Sequence, residues 1–174
     1  MEKLLELSRQ NEITPYFIDT KDIIVEDRVY LKCAYGCKDF GKRLNCPPNI
    51  ITIDEFRRIL KEYEKGLVLI EEYYIDKDDD IYNTWEIIRK NSFHKMIEIE
   101  KEAFRQGYSF AHLLRAGSCN ECPKCSEQCS KPYLRRFSPE SVGINLTKTL
   151  ENINITINYD NTNKITLIGL LLLY

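Results

Sequence analysis

With 174 residues and a mass of 20.6 kDa, the chain is long enough for one domain with a hydrophobic core and short for two. Its 43% hydrophobic and 30% charged residues are ordinary globular values, and 25 basic against 27 acidic side chains leave a net charge of -2. With no basic face or aromatic-basic stripe nucleic acid is not an expected partner, and seven cysteines, an odd number, rule out complete disulfide pairing.

The elements follow in chain order. Leu4, Leu5 and Leu7 stand among charges and predict a short amphipathic helix over residues 2–10. Acidic residues are scattered through this start, with no apolar core of signal-peptide length, so no secretion signal is read and the thiols are expected in a reducing cytoplasm. Ile13 to Ile18 reads as extended. Ile23-Ile24-Val25 and Val29-Tyr30-Leu31 flank the charged turn Glu26-Asp27-Arg28 and predict a hairpin whose second strand runs into Cys33.

Cys33 and Cys37 open the first cysteine group, and Cys46-Pro47-Pro48 follows after eight residues that include Gly41. Glycines that permit positive φ and prolines that stiffen the chain suit a loop held in one shape around a ligand. Thr52-Ile53-Asp54-Glu55 is a capping box that predicts a helix to Tyr63 or Glu64, stopped by Gly66. The apolar run Leu67-Val68-Leu69-Ile70 begins a buried strand. The acidic stretch Asp76 to Asp80 reads as a solvated loop, because it lacks the mid-loop glycine and terminal glutamate of a calcium site.

Trp85, Ile88, Ser92, Met96, Ile99 and Ala103 recur at helical spacing and predict a long helix over Asp80 to Gln106, stopped by Gly107. His94 within it, and His112 in the strand expected over Tyr108 to Leu114, read as structural histidines. Glu140 to Leu150 reads as a broken helical region. Ile153 to Tyr159 and Ile165 to Tyr174 flank the turn-like Asp160-Asn161-Thr162-Asn163 and predict a terminal hairpin. The last apolar run, ten residues with Gly169 inside it, is too short to cross a bilayer as a helix and reads as a buried strand; no membrane association is expected. The whole reads as one metal-binding domain over residues 1–174, an α/β or α+β sandwich: a mixed sheet flanked by helices, with two cysteine-rich loops emerging from strand ends.

The most informative stretch lies between these elements. Cys119, Cys122, Cys125 and Cys129 follow the pattern Cys-x2-Cys-x2-Cys-x3-Cys, the spacing of the bacterial ferredoxin run that wraps thiolates around a cubane iron-sulfur cluster. The intervening residues are polar, whereas a free cysteine normally behaves as a small buried hydrophobe. Zinc sites more often gather two Cys-x2-Cys pairs across a longer span, so a 4Fe-4S cluster is the first expectation and zinc the alternative.

Two arrangements are open. Cys46 joins Cys119, Cys122 and Cys125, leaving Cys33, Cys37 and Cys129 for a second cluster; or the run from Cys119 to Cys129 holds one cluster and Cys33, Cys37 and Cys46 hold something else. Seven thiols fall one short of the eight that two fully thiolate-ligated cubanes need, which leaves room for a non-cysteine ligand or a substrate. Lys32, Lys42, Arg43, Lys124, Arg135 and Arg136 lie near these loops in sequence and would favour an anionic cluster.

Arg28 to Cys33, Cys37, Phe40-Gly41-Lys42, Cys46-Pro47-Pro48, Lys101 to Tyr108, Ala116-Gly117-Ser118-Cys119, the run to Cys129, Pro132 and Arg136 to Gly143 together resemble a known family. It is the cysteine-rich family of predicted metal-binding proteins, a domain of unknown function common in anaerobic bacteria and archaea. Where that family usually reads Arg-Pro-Ser-Met-Glu-Ala, this chain has Arg136-Phe137-Ser138-Pro139-Glu140-Ser141. The resemblance implies metal binding and supplies no reaction. The first functional expectation is therefore an iron-sulfur protein that carries electrons to or from a redox partner protein. The others are an enzyme with an incompletely ligated cluster or a thiolate-bound zinc, and a zinc-stabilised interaction module.

Overall fold

The apolar runs at the middle and the end of the chain pair with each other. In the computed structural model, which describes residues 1–76, 80–158 and 163–174, strand β2 (Lys65–Tyr74) lies antiparallel to β4 (Lys164–Leu173). Strand β1 (Thr14–Asp19) flanks β2 and the short β3 (His112–Leu114) flanks β4, giving the order β1-β2-β4-β3. Every pairing is antiparallel, so the expected mixed sheet is antiparallel throughout, and of the two fold classes α+β is the one realised.

Alternate side chains of a strand point to opposite faces, and here both faces are covered. Leu67, Leu69, Leu113, Leu171 and Leu173 belong to one core with Leu4 of α1 (Glu2–Gln10) and Phe93, Met96, Ile99 and Ala103 of α4 (Ile81–Arg105). Val68, Ile70, Leu114, Leu170 and Leu172 belong to the other, with Phe56 and Leu60 of α3 (Ile53–Leu60) and Leu150 of α5 (Leu146–Asn152). That is why the strands read as unbroken apolar runs. No helix among the described residues is long and apolar enough to cross a membrane.

The two helix starts follow their sequence signals. Thr52 Oγ1 accepts from Glu55 N–H at 3.2 Å and Glu55 Oε2 accepts from Thr52 N–H at 2.7 Å, closing the capping box. Asp80 caps α4 by accepting from the N–H groups of Tyr82 and Asn83. Between the strands space is tight at Gly66, where an added Cβ would stand 2.7 Å from the Leu171 carbonyl oxygen. Gly66→Ala is therefore expected to cost about 1–3 kcal/mol of stability, read as a lower urea midpoint at unchanged m-value.

Four expectations are corrected. The hairpin over residues 23–31 does not form. Asp27–Val29 is a 3₁₀ turn that leads into helix α2 (Tyr30–Gly36), and Val25 forms an isolated bridge with Ile144 instead. Glu26-Asp27-Arg28 offers no glycine or asparagine for the positive φ that tight hairpin turns need. Cys33 thus sits on a helix, and the first cysteine loop leaves a helix end, not a strand end.

The helix expected to reach Tyr63 or Glu64 ends at Leu60. The strand expected from Tyr108 begins only at His112, because Gly107 takes φ +94° and Ala111 N–H closes a turn on the Tyr108 carbonyl. The terminal hairpin is not formed by the described residues: β2 pairs along one edge of β4, the other edge carries only β3 at Leu170–Leu172, and residues 153–158 join no ladder. Ile153, Ile155 and Ile157 do alternate as a strand would, but they pack against the second core without pairing. Residues 77–79 of the acidic stretch, and residues 159–162 of the expected turn, lie outside the described residues.

Candidate metal centre

The second cysteine loop is an excursion from the end of β3 that closes on itself. Arg115 N–H donates to the Phe137 carbonyl at 2.8 Å, so the chain from 116 to 136 leaves and returns at one point. The Arg115 side chain then turns inward and is fully buried. Its guanidinium lies 3.8 Å over the Phe93 ring, with Nη1 3.3 Å from Glu121 Oε1 and Nη2 donating to Asn120 Oδ1 at 2.8 Å. Burial pulls its pKa down while Cys119 and Glu121 hold it up, and a guanidinium stays charged under those conditions. Glu121, only 2% exposed at its side chain, also meets His94 Nε2 of α4 at 2.9 Å.

Other side chains grip the same stretch from outside. Arg89 donates to the carbonyl of Ser118 and, at 3.2 Å, to its hydroxyl. Ser118 Oγ donates to Asp39 of the first loop at 2.5 Å. Arg43 donates to the Cys122 carbonyl and Lys131 to the Glu121 carbonyl, each at 3.2 Å. Residues 118–122 are thus pinned by four cationic side chains, which lowers the ordering needed when a ligand arrives.

The two cysteine groups meet across Asn45, which is 1% exposed. Its Oδ1 accepts from Cys119 N–H at 2.9 Å and from the Cys46 thiol at 3.4 Å, while Nδ2 donates to the Arg136 carbonyl at 2.9 Å. One amide therefore ties a cysteine of each group to the chain that closes the second loop.

The thiols fall into two sets. Cys119, Cys122, Cys125 and Cys129 all line one cavity of about 20 Å³, together with Arg43, Lys124 and Lys131. Cys33 and Cys37 stand one helical turn apart at the end of α2, and Cys46 is buried. Burial pushes the Cys46 thiol up to about 12, with Cys37, Asp39, Cys33 and Cys119 adding to the rise. Burial also raises Cys33, helped by Cys37 and Glu140, and raises Cys119 against the pull of Arg115. Among the described residues no three cysteine, histidine, aspartate or glutamate side chains converge closely enough to hold a single ion as they stand.

Of the cations expected beside the loops, Arg43 and Lys124 line the cavity of the four thiols. Arg136 turns away and pairs with buried Glu100 at 2.6 Å, fixing the base of the loop. Glu121 is buried among its partners, not a solvated spacer. The grip of Arg89, Arg115, Asn45 and Lys131 escaped sequence reading. A signal existed for one of them: Arg115 stands directly between an apolar strand and a thiol loop, a position with no solvent. His94 contacts Glu121, and His112 sits beside Phe137 at the loop base with its pKa lowered by burial.

The fold and these loops define a cysteine-rich α+β protein with two neighbouring thiol groups. The family model described as predicted metal-binding protein (DUF2284) matches residues 16–173, which include all seven cysteines, and the chain belongs to that family. No curated protein and no solved structure matches the chain.

Proposed function

We propose that the chain is an iron-sulfur protein that exchanges electrons with a partner protein in a reducing cytoplasm. The observation that carries this reading is that all four cysteines of the ferredoxin-type run line one cavity. Thiolates are soft donors suited to iron-sulfur clusters, and the cations gripping the loop favour the charge of a cluster and its extra electron. That shared cavity, which Cys46 does not line, supports the second of the two arrangements. On this reading Cys119, Cys122, Cys125 and Cys129 act as a four-thiol group, with Cys33, Cys37 and Cys46 as a three-thiol group beside it.

One observation favours zinc. A cavity of about 20 Å³ is nearer the size of a single ion than of a cubane. Iron, sulfide and zinc analysis of protein purified without oxygen separates the readings. About four iron and four sulfide per chain, with visible absorption that bleaches on reduction, is the expected result and means one cubane; about eight of each means that the three-thiol group holds a second. Zinc without iron overturns the iron-sulfur reading in favour of a structural or Lewis-acid site.

A further inference from the structure

A groove of about 790 Å³ opens between α2 and the first turns of α4, within the size range of small-molecule sites. Tyr35 of α2 and Tyr82 and Trp85 of α4 line it, and Cys37 lies on it too. Tyr35 is 87% exposed and Tyr82 53%, so two large, largely uncovered rings flank an open space. Aromatic walls of this kind accept a flat ring by stacking or edge contact.

The charges on the groove are unequally engaged. Glu86 is paired with Arg89 at 2.5 Å, and Asp39 is held by Arg43 at 3.4 Å and by the Ser118 hydroxyl. Lys32 and Lys38, by contrast, make no ion pair among the described residues. Lys38 Nζ rests 3.9 Å above the Tyr82 ring and feels Asp39 and Glu86 only at longer range. Lys32 stands in the same relation to Glu140. Three cations face two acids, and both acids already have closer partners.

We propose that this groove binds a small aromatic carboxylate, with its ring against Tyr82 and Trp85 and its carboxylate at Lys38 and Lys32. The bound molecule lies beside Cys37, the exposed member of the three-thiol group. This goes beyond the proposed electron-transfer role and is independent of which metal the thiols hold.

Trp85 is the chain's one tryptophan, so its emission reports the groove directly. The protein as purified is titrated with benzoate, with excitation at the red edge of tryptophan absorption. Saturable quenching is expected. Benzyl alcohol, which keeps the ring, and cyclohexanecarboxylate, which keeps the charge, are each expected to bind about five- to tenfold more weakly. Lys38→Glu weakens benzoate by a similar factor at unchanged metal content, and Tyr82→Leu does so without altering the charge. Quenching that never saturates, equal affinity for benzoate and benzyl alcohol, or a Lys38→Glu protein that binds benzoate like the wild type overturns the proposal.

Discussion

Arg115→Met lowers the free energy of unfolding by about 3–5 kcal/mol, the cost of breaking a buried ion pair by removing one partner. Arg115 is fully buried and Glu121, its ion-pair partner, is 2% exposed at the side chain, so the carboxylate left behind keeps only the His94 contact on its other oxygen. Methionine fills much of the volume over Phe93, which separates loss of charge from loss of packing. Urea denaturation measures the effect. The double variant Arg115→Met, Glu121→Gln should recover most of the loss, since neutralising both members removes the unpaired charge. If the double variant is no more stable than the single one, the energy resides in the stacking on Phe93 and not in the pair.

The second large effect is expected at Asn45. Leucine there has the same branched skeleton but leaves Cys119 N–H and the Arg136 carbonyl without their partner. About 1–3 kcal/mol is the cost for each such group left unpaired where water cannot reach it. Because Asn45 fixes the backbone of Cys119, Asn45→Leu should reduce the metal content of the four-thiol loop, while Cys37→Ser leaves it unchanged. Metal analysis of the two variants side by side checks this. A variant at Asn45 that keeps its full metal complement would mean that the loops hold their positions independently.

What could be read before folding differs in kind from what could not. The capping box at Thr52, the long helix from Asp80 and the apolar runs at Leu67 and Ile165 all rest on contacts within a few residues, or on burial that any partner would satisfy. The hairpin at residues 23–31 failed because the same β-branched residues could pack as a turn and helix once Val25 found Ile144, far along the chain. The terminal hairpin failed for a related reason. Alternation at Ile153, Ile155 and Ile157 reports which side faces the core, and it does not say which strand, if any, lies alongside.

The candidate site divides the same way. Seven cysteines and the ferredoxin-type spacing are properties of the chain itself, because thiols only two or three residues apart must share a loop whatever the fold does. Membership of the metal-binding family agrees with that much. The rivet at Asn45, the buried Arg115–Glu121 pair and the aromatic groove beside Cys37 join residues up to 91 positions apart, as Asn45 and Arg136 are. No local preference encodes such meetings. They arise when the antiparallel sheet and the helix laid across it bring two loops to one place, and only there do burial and hydrogen bonding decide which side chain holds which.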